Sequence, residues 1–133
     1  TRGQHQDYDI WAQMGATGWS YDEVLPDFRK SEDQQHGASE YHGADGPLMV
    51  SDSGYTPPLA DACIAACEEA GIPRNDDFNG PTQEGVGYYQ TTSRNGRRCS
   101  AAAGYLKQAR GRPNLTIEVN ALASRLVRRL KLA

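Results

Sequence analysis

The stretch Asn75-Asp76-Asp77-Phe78-Asn79-Gly80 carries the alternating oxygen-bearing side chains and the sharp-turn glycine with which an EF-hand calcium loop begins. The rest of that loop must also be present for calcium chemistry. Counted from Asn75, the seventh position is Pro81 and the twelfth, where a bidentate glutamate belongs, is Val86; Glu84 comes two positions early. Downstream, Gly85-Val86-Gly87-Tyr88-Tyr89 has the composition of a strand and not of a second helix. The hexapeptide therefore reads as an Asx-rich turn leading into a strand.

Other reactive residue types are equally isolated. Cys63 and Cys67 stand four apart on a predicted helix, but no histidine or second cysteine pair lies at a zinc-like spacing, so they read as small core residues. With Cys99 they make an odd count of thiols, which suits a reducing, cytoplasmic setting. Ser100 lacks the G-x-S-x-G elbow of a hydrolase and suits a helix N-cap. His5 and His36 lie in polar surroundings, and no candidate catalytic base emerges among the histidines. Gly85-Val86-Gly87 lacks the third glycine of a dinucleotide turn. Arg94, Arg97 and Arg98 form a basic turn that could hold phosphate but more simply reads as solvated, and no metal site is expected.

The elements that would carry these residues alternate between helix and strand. A chain of 133 residues is one domain by size. Its 17 acids and 14 bases give a net charge of −3, which offers no global attraction for nucleic acid. No apolar run approaches the roughly 20 residues of a membrane span, and no signal-peptide pattern opens the sequence. Ile10, Trp11 and Met14 predict a helix stopped by Gly15. Ser20-x-x-Glu23 is a capping box for a second helix containing Pro26. Residues 32–46 read as a polar loop and 46–50 as a short strand. Leu59, Cys63, Cys67 and Ala70 give a helix stripe that ends at Gly71. A strand over 86–92, an Asn95-Gly96 turn, a helix from Ser100 and a strand over 114–119 follow. The expected fold is α+β, with a small, mainly antiparallel sheet on which the Leu59/Cys63/Cys67 stripe packs.

Five blocks in register, at residues 2–32, 41–52, 71–92, 94–106 and 112–117, closely resemble an interior stretch of the glucose–methanol–choline (GMC) family of FAD-dependent oxidoreductases, on its choline and aliphatic-alcohol dehydrogenase side. The joining of NDDFNG to QEGVG is the most specific part. The resemblance covers residues 1–120 as mostly substrate domain. It implies an interior slice of a protein several times longer, whose parent passes hydride from a small alcohol to FAD. The glycine-rich phosphate turn and the catalytic histidine of that family are absent from this sequence; His42 matches a family loop and not the family's base. The positions carried over are therefore few. Arg2 and Gly3 follow the family's first flavin-contacting signature, Ala123 matches an adenine-contacting position, and Tyr88 and Tyr89 fall in the strand that roofs the substrate pocket. No FAD is expected to bind this chain alone.

Residues 121–133 depart from the family pattern. Leu122, Leu126, Val127 and Leu130 form a helical stripe among Arg125, Arg128, Arg129 and Lys131, which reads as a basic amphipathic helix, a divergent strand or an altered tail. Three functions remain open on the residues: an inactive fragment of an FAD-dependent choline or alcohol dehydrogenase, a stand-alone binding module that oligomerises, and a hydrolase using Ser100. The last has no supporting motif. A homo-oligomer is expected, because a slice of a larger protein leaves apolar surface and strand edges uncovered.

Overall fold

The computed structural model describes residues 1–125. The chain opens with helix α1 (His5–Gln13), entered through a reciprocal cap in which the Gln4 amide donates to Asp7 Oδ2 at 2.8 Å. Helix α2 (Tyr21–Ser31) uses the Ser20/Glu23 capping box: the Ser20 N–H donates to Glu23 Oε2 at 3.0 Å and its hydroxyl to the same oxygen at 2.6 Å. These bonds hold the Glu23 carboxyl below the usual carboxylate range. Pro26 sits inside α2 without ending it. The two helices meet through rings: Tyr8 lies edge-on to Phe28 at 5.8 Å, and His5 stacks on Tyr21 at 3.5 Å.

Helix α2 runs directly into β1 (Glu32–Gln34), which pairs in parallel with β2 (Leu48–Val50) in the register Glu32–Leu48, Asp33–Met49, Gln34–Val50. A Ser51–Thr91 bridge continues from the end of β2 to the hairpin of β3 (Ser93–Arg94) and β4 (Arg97–Arg98). Asn95 and Gly96 both take positive φ, 51° and 71°, as a two-residue type I′ turn requires. The strands thus form two separate pairs, one parallel and one antiparallel, where a single, mainly antiparallel sheet was expected. The miss lies in β1. Glu-Asp-Gln shows no apolar alternation, and Glu32 and Gln34 are buried by polar partners instead.

Helix α3 (Pro58–Glu69) corrects a second expectation. Its buried residue is Ile64, flanked by half-buried Ala60 and Cys67, while Leu59 and Cys63 face solvent. The bulkier β-branched Ile64 wins the inward position, and the stripe rotates by roughly a third of a turn. The strand expected over 86–92 is reduced to bridges at Val86 and Thr91, and residues 114–119 form no strand among the described residues. The helix after Ser100 begins as a wide π turn (Ala102–Leu106) and closes with a single α turn, α4 (Lys107–Ala109). Ser100 Oγ accepts from the Ala103 amide at 3.3 Å, consistent with a cap. Of the divergent tail, residues 121–125 form no regular element and are exposed; the amphipathic stripe at Leu126, Val127 and Leu130 lies outside the described residues.

The buried apolar set is thin: Tyr21, Val50, Ile64, Phe78 and Cys99. The solvent-accessible surface is 10690 Å², against roughly 6,900 Å² for a compact monomer of this mass. The eight residues outside the described set could supply at most about 1,400 Å² of the excess. Trp11, Met14, Trp19, Leu59 and Tyr89 are among the large apolar side chains left open to water.

Candidate functional site

The most ordered polar feature is a buried knot joining three of the five sequence blocks. Glu32, at the head of β1 and 4% exposed, accepts from Arg2 Nη2 at 2.6 Å and from the Gly43 amide at 3.2 Å, both on Oε2. His42 Nδ1 lies 2.9 Å from the same oxygen, and its Nε2 lies 2.9 Å from Asp77 Oδ2. Arg2 also donates to the Tyr41 carbonyl oxygen and stacks over Phe28, 5.2 Å from the ring centroid. Its main chain is tied as well: the Arg2 N–H donates to Asn79 Oδ1 at 2.8 Å, and Gln83 Nε2 donates to the Arg2 carbonyl at 2.6 Å. Burial raises the pKa of the nearby Tyr21 hydroxyl, against the opposing pull of Arg2.

The loop at 75–80 is built to hold Asp77 in place. Asp77 N–H donates to Asn75 Oδ1 at 2.8 Å and Asn79 N–H to Asp77 Oδ1 at 2.9 Å, two successive Asx turns. Asn75 Nδ2 spans to the carbonyls of Thr82 and Glu84, both at 3.0 Å. The side-chain oxygens that suggested calcium are therefore spent on the loop's own amides, on the Arg2 amide and on His42. Among the described residues no cluster of His, Cys, Asp or Glu could hold a metal ion. Gly85-Val86-Gly87 has an equally local purpose. Residues 73–75 cross it through Asn75 N–H to Val86 O and Val86 N–H to Pro73 O, both 2.9 Å, and a Cβ at Gly85 or Gly87 would strike that crossing backbone.

The carried-over positions do not converge on one site. Arg2 and Gly3 border an open cleft of about 350 Å³ with Tyr21, Asn79 and Gln83, and Ala123 does not line it. The groups there fit a flavin nucleotide poorly. The main-chain N–H and carbonyl of Arg2 are both engaged internally, and a Cβ at Gly3 would lie 2.9 Å from the Tyr8 ring, so that glycine is closed against its own helix. Tyr88 and Tyr89 line a second cleft, of about 430 Å³, with His36, Asp52, Asp76 and Gln90. Tyr88 donates its hydroxyl to Asp61 on α3 at 2.6 Å, which pushes its pKa up to about 12; Tyr89 packs on Phe78, ring centroids 4.4 Å apart. The Gln90 amide and His36 hold the Asp52 carboxyl below its usual range. His36 is itself an exposed partner of Asp52, and Arg94 of the basic turn pairs with Asp33.

Sequence reasoning treated His42 as one residue of a loop and missed Glu32 altogether. A charged residue at the end of a helix gives no periodic signal of burial. The available clue was Gly43 beside His42, a glycine at a point where another stretch of backbone, here Arg29, passes too close for a Cβ.

Set beside known proteins, this arrangement defines a class. The profile described as GMC oxidoreductase matches residues 1–131, and the chain belongs to that family. It is 49% identical over 129 residues to the oxygen-dependent choline dehydrogenase of Paraburkholderia phymatum, which covers 95% of this chain and 23% of that protein. It is 45% identical over 126 residues to the mitochondrial choline dehydrogenase of Homo sapiens, 95% of this chain and 21% of the relative. Pyridoxine 4-oxidase from Mesorbium loti superposes with a TM-score of 0.80 at 38% identity, over 87% of this chain and 23% of that one. An FAD-dependent oxidoreductase from Chaetomium thermophilum gives 0.76 at 27% identity, over 85% and 22%. The chain thus spans less than a quarter of the relatives it matches.

Proposed function

We propose that this chain is the part of an FAD-dependent choline- or alcohol-oxidising enzyme that braces the flavin-side backbone and walls the substrate pocket, and that alone it catalyses nothing. The observation that carries this reading is the inward commitment of Arg2. Its guanidinium and main chain are held by Glu32, Tyr41, Asn79 and Gln83, so the chain anchors the peptide beside Gly3 while leaving few groups for a dianionic cofactor. In the whole enzyme Arg2, Gly3 and Ala123 would lie on the flavin side, with Arg2 bracing the backbone there through its internal bonds. Tyr88 and Tyr89 would shape the alcohol's pocket and move no proton, since Tyr88 keeps its own toward Asp61. The base would come from outside these residues, because His42 is locked between two carboxylates and His36 is paired with Asp52 at the surface.

The same reading makes residues 1–120 one family segment, mostly substrate domain, and 121–133 a divergent basic tail. The excess exposed surface favours a homo-oligomer, and the free thiols favour a cytoplasmic setting. Among the described residues no helix is long and apolar enough to cross a membrane. The alternative, a non-enzymatic module that has kept the family fold, is favoured by the same thin core and open apolar faces. Flavin titration followed by gel filtration tests the first reading. The expected result is a colourless protein binding FAD no more tightly than the millimolar range, about −4 kcal/mol, and oxidising neither choline nor primary alcohols. Flavin absorbance that co-elutes with the chain would overturn it.

A further inference from the structure

The formal charge of −3 conceals a strong segregation. Residues 1–90 hold four bases and sixteen acids, while residues 91–133 hold ten bases and one acid, Glu118. The first part is therefore −12 and the second +9. Two described features concentrate this contrast. The β3–β4 hairpin and the turn at Lys107 border an open cleft of about 800 Å³, lined by the apolar Pro47, Cys99 and Ala103 and by the cations Arg97, Arg98 and Lys107. These three cations are exposed, and the described ion pairs include none of them.

Helix α3 is the complement. Twelve residues make it about 18 Å long, and Leu59, Ala62, Cys63 and Ala66 form an exposed apolar stripe along it. It ends on Glu68 and Glu69 with no basic residue in its last turn. The negative end of the helix dipole and two carboxylates thus stand together without a cation on the helix, and Arg74, just beyond it and in reach of Glu68, is already paired with Asp76. None of the described ion pairs joins α3 to the basic cleft within one molecule.

We propose that helix α3 of one copy docks into the Arg97/Arg98/Lys107 cleft of a second copy. The Leu59–Ala66 stripe covers the cleft's apolar lining, and Glu68 and Glu69 meet its cations. The contact is head-to-tail, so each molecule offers both halves and assembly continues with concentration unless the rotation closes a ring. The proposal builds on the homo-oligomer in the functional reading, but it is tested by mass and not by flavin, so either can fail without the other.

The test is light scattering and sedimentation of the 133-residue chain at rising concentration, in low salt and at about 0.5 M salt, where screening lengths fall to a few ångströms. The mass of the native chain should climb at low salt and return toward 14.5 kDa at high salt. R97E/R98E and E68K/E69K should each remain monomeric alone, because each then sets like charges against like. Mixed in equal amounts they should assemble again. R97Q/R98Q, which removes charge without reversing it, should weaken assembly with its circular dichroism unchanged. A native chain that is monomeric throughout would overturn the proposal. So would assembly that survives either charge reversal or high salt, or a mixture of the two reversed variants that stays monomeric.

Discussion

Replacing Glu32 by glutamine keeps the side chain's shape and removes the one charge that faces both Arg2 and His42. Oε2 of Glu32 receives Arg2 at 2.6 Å, lies 2.9 Å from His42 Nδ1 and accepts the Gly43 amide at 3.2 Å, with the carboxylate side chain 5% exposed and that of Arg2 10% exposed. In E32Q a buried guanidinium loses its counter-ion, a change that costs about 3–5 kcal/mol where no water can replace the partner. Unfolding entropy near 2.1 cal/mol/K per residue makes this a fall of roughly 11–18 °C in Tm for a chain of this length. Thermal unfolding followed by circular dichroism, with urea unfolding as a check, reads it directly. Asp77 provides the internal control. Its side chain is 41% exposed, faces a single nitrogen of His42, and bonds the Asn79 amide through an oxygen that asparagine keeps, so D77N should cost no more than about 1 kcal/mol. A cycle of E32Q with H42A should show coupling of about 0.5–3 kcal/mol. If E32Q melts within about 3 °C of the native chain, or costs less than D77N, water reaches the knot and the account of how Arg2 is held is wrong.

Two further outcomes follow from close geometry. Gly43→Ala would set a methyl group on the Arg29 carbonyl oxygen, where the chain crosses the end of α2, so G43A should lose several kcal/mol by overpacking; G54A, where an added Cβ meets open space, should leave urea unfolding nearly unchanged. Tyr88 donates to Asp61, and its pKa is raised to about 12. The contact's contribution is therefore complete below pH 10, the ordinary value, and is lost as pH climbs through about 12. Ultraviolet titration should show a late-ionising tyrosine that Y88F removes, and an unchanged titration in Y88F would refute the assignment.

The sequence by itself determined the local devices, because each is set by residues a few positions apart. The Ser20/Glu23 box, the Asn95-Gly96 turn, the glycine stop after α1 and the Asx turns of 75–80 all form where their residues dictate, and the same short-range logic removed calcium from consideration. The register of the five blocks was also enough to place the chain in its family, since position along the chain needs no coordinates. Tertiary structure decided what depends on distant partners. A three-residue strand of Glu-Asp-Gln exists because Leu48–Val50 lies beside it, and Glu32 is buried because Arg2 and His42 arrive from 30 positions before it and 10 after it. Which face of α3 turns inward depended on where Ile64 found contact, which a stripe of similar small residues does not specify. The segregation of charge was present in the composition of the two parts. Only the folding of the hairpin against the turn at Lys107 gathers the cations into a cleft and leaves an acidic helix elsewhere without them.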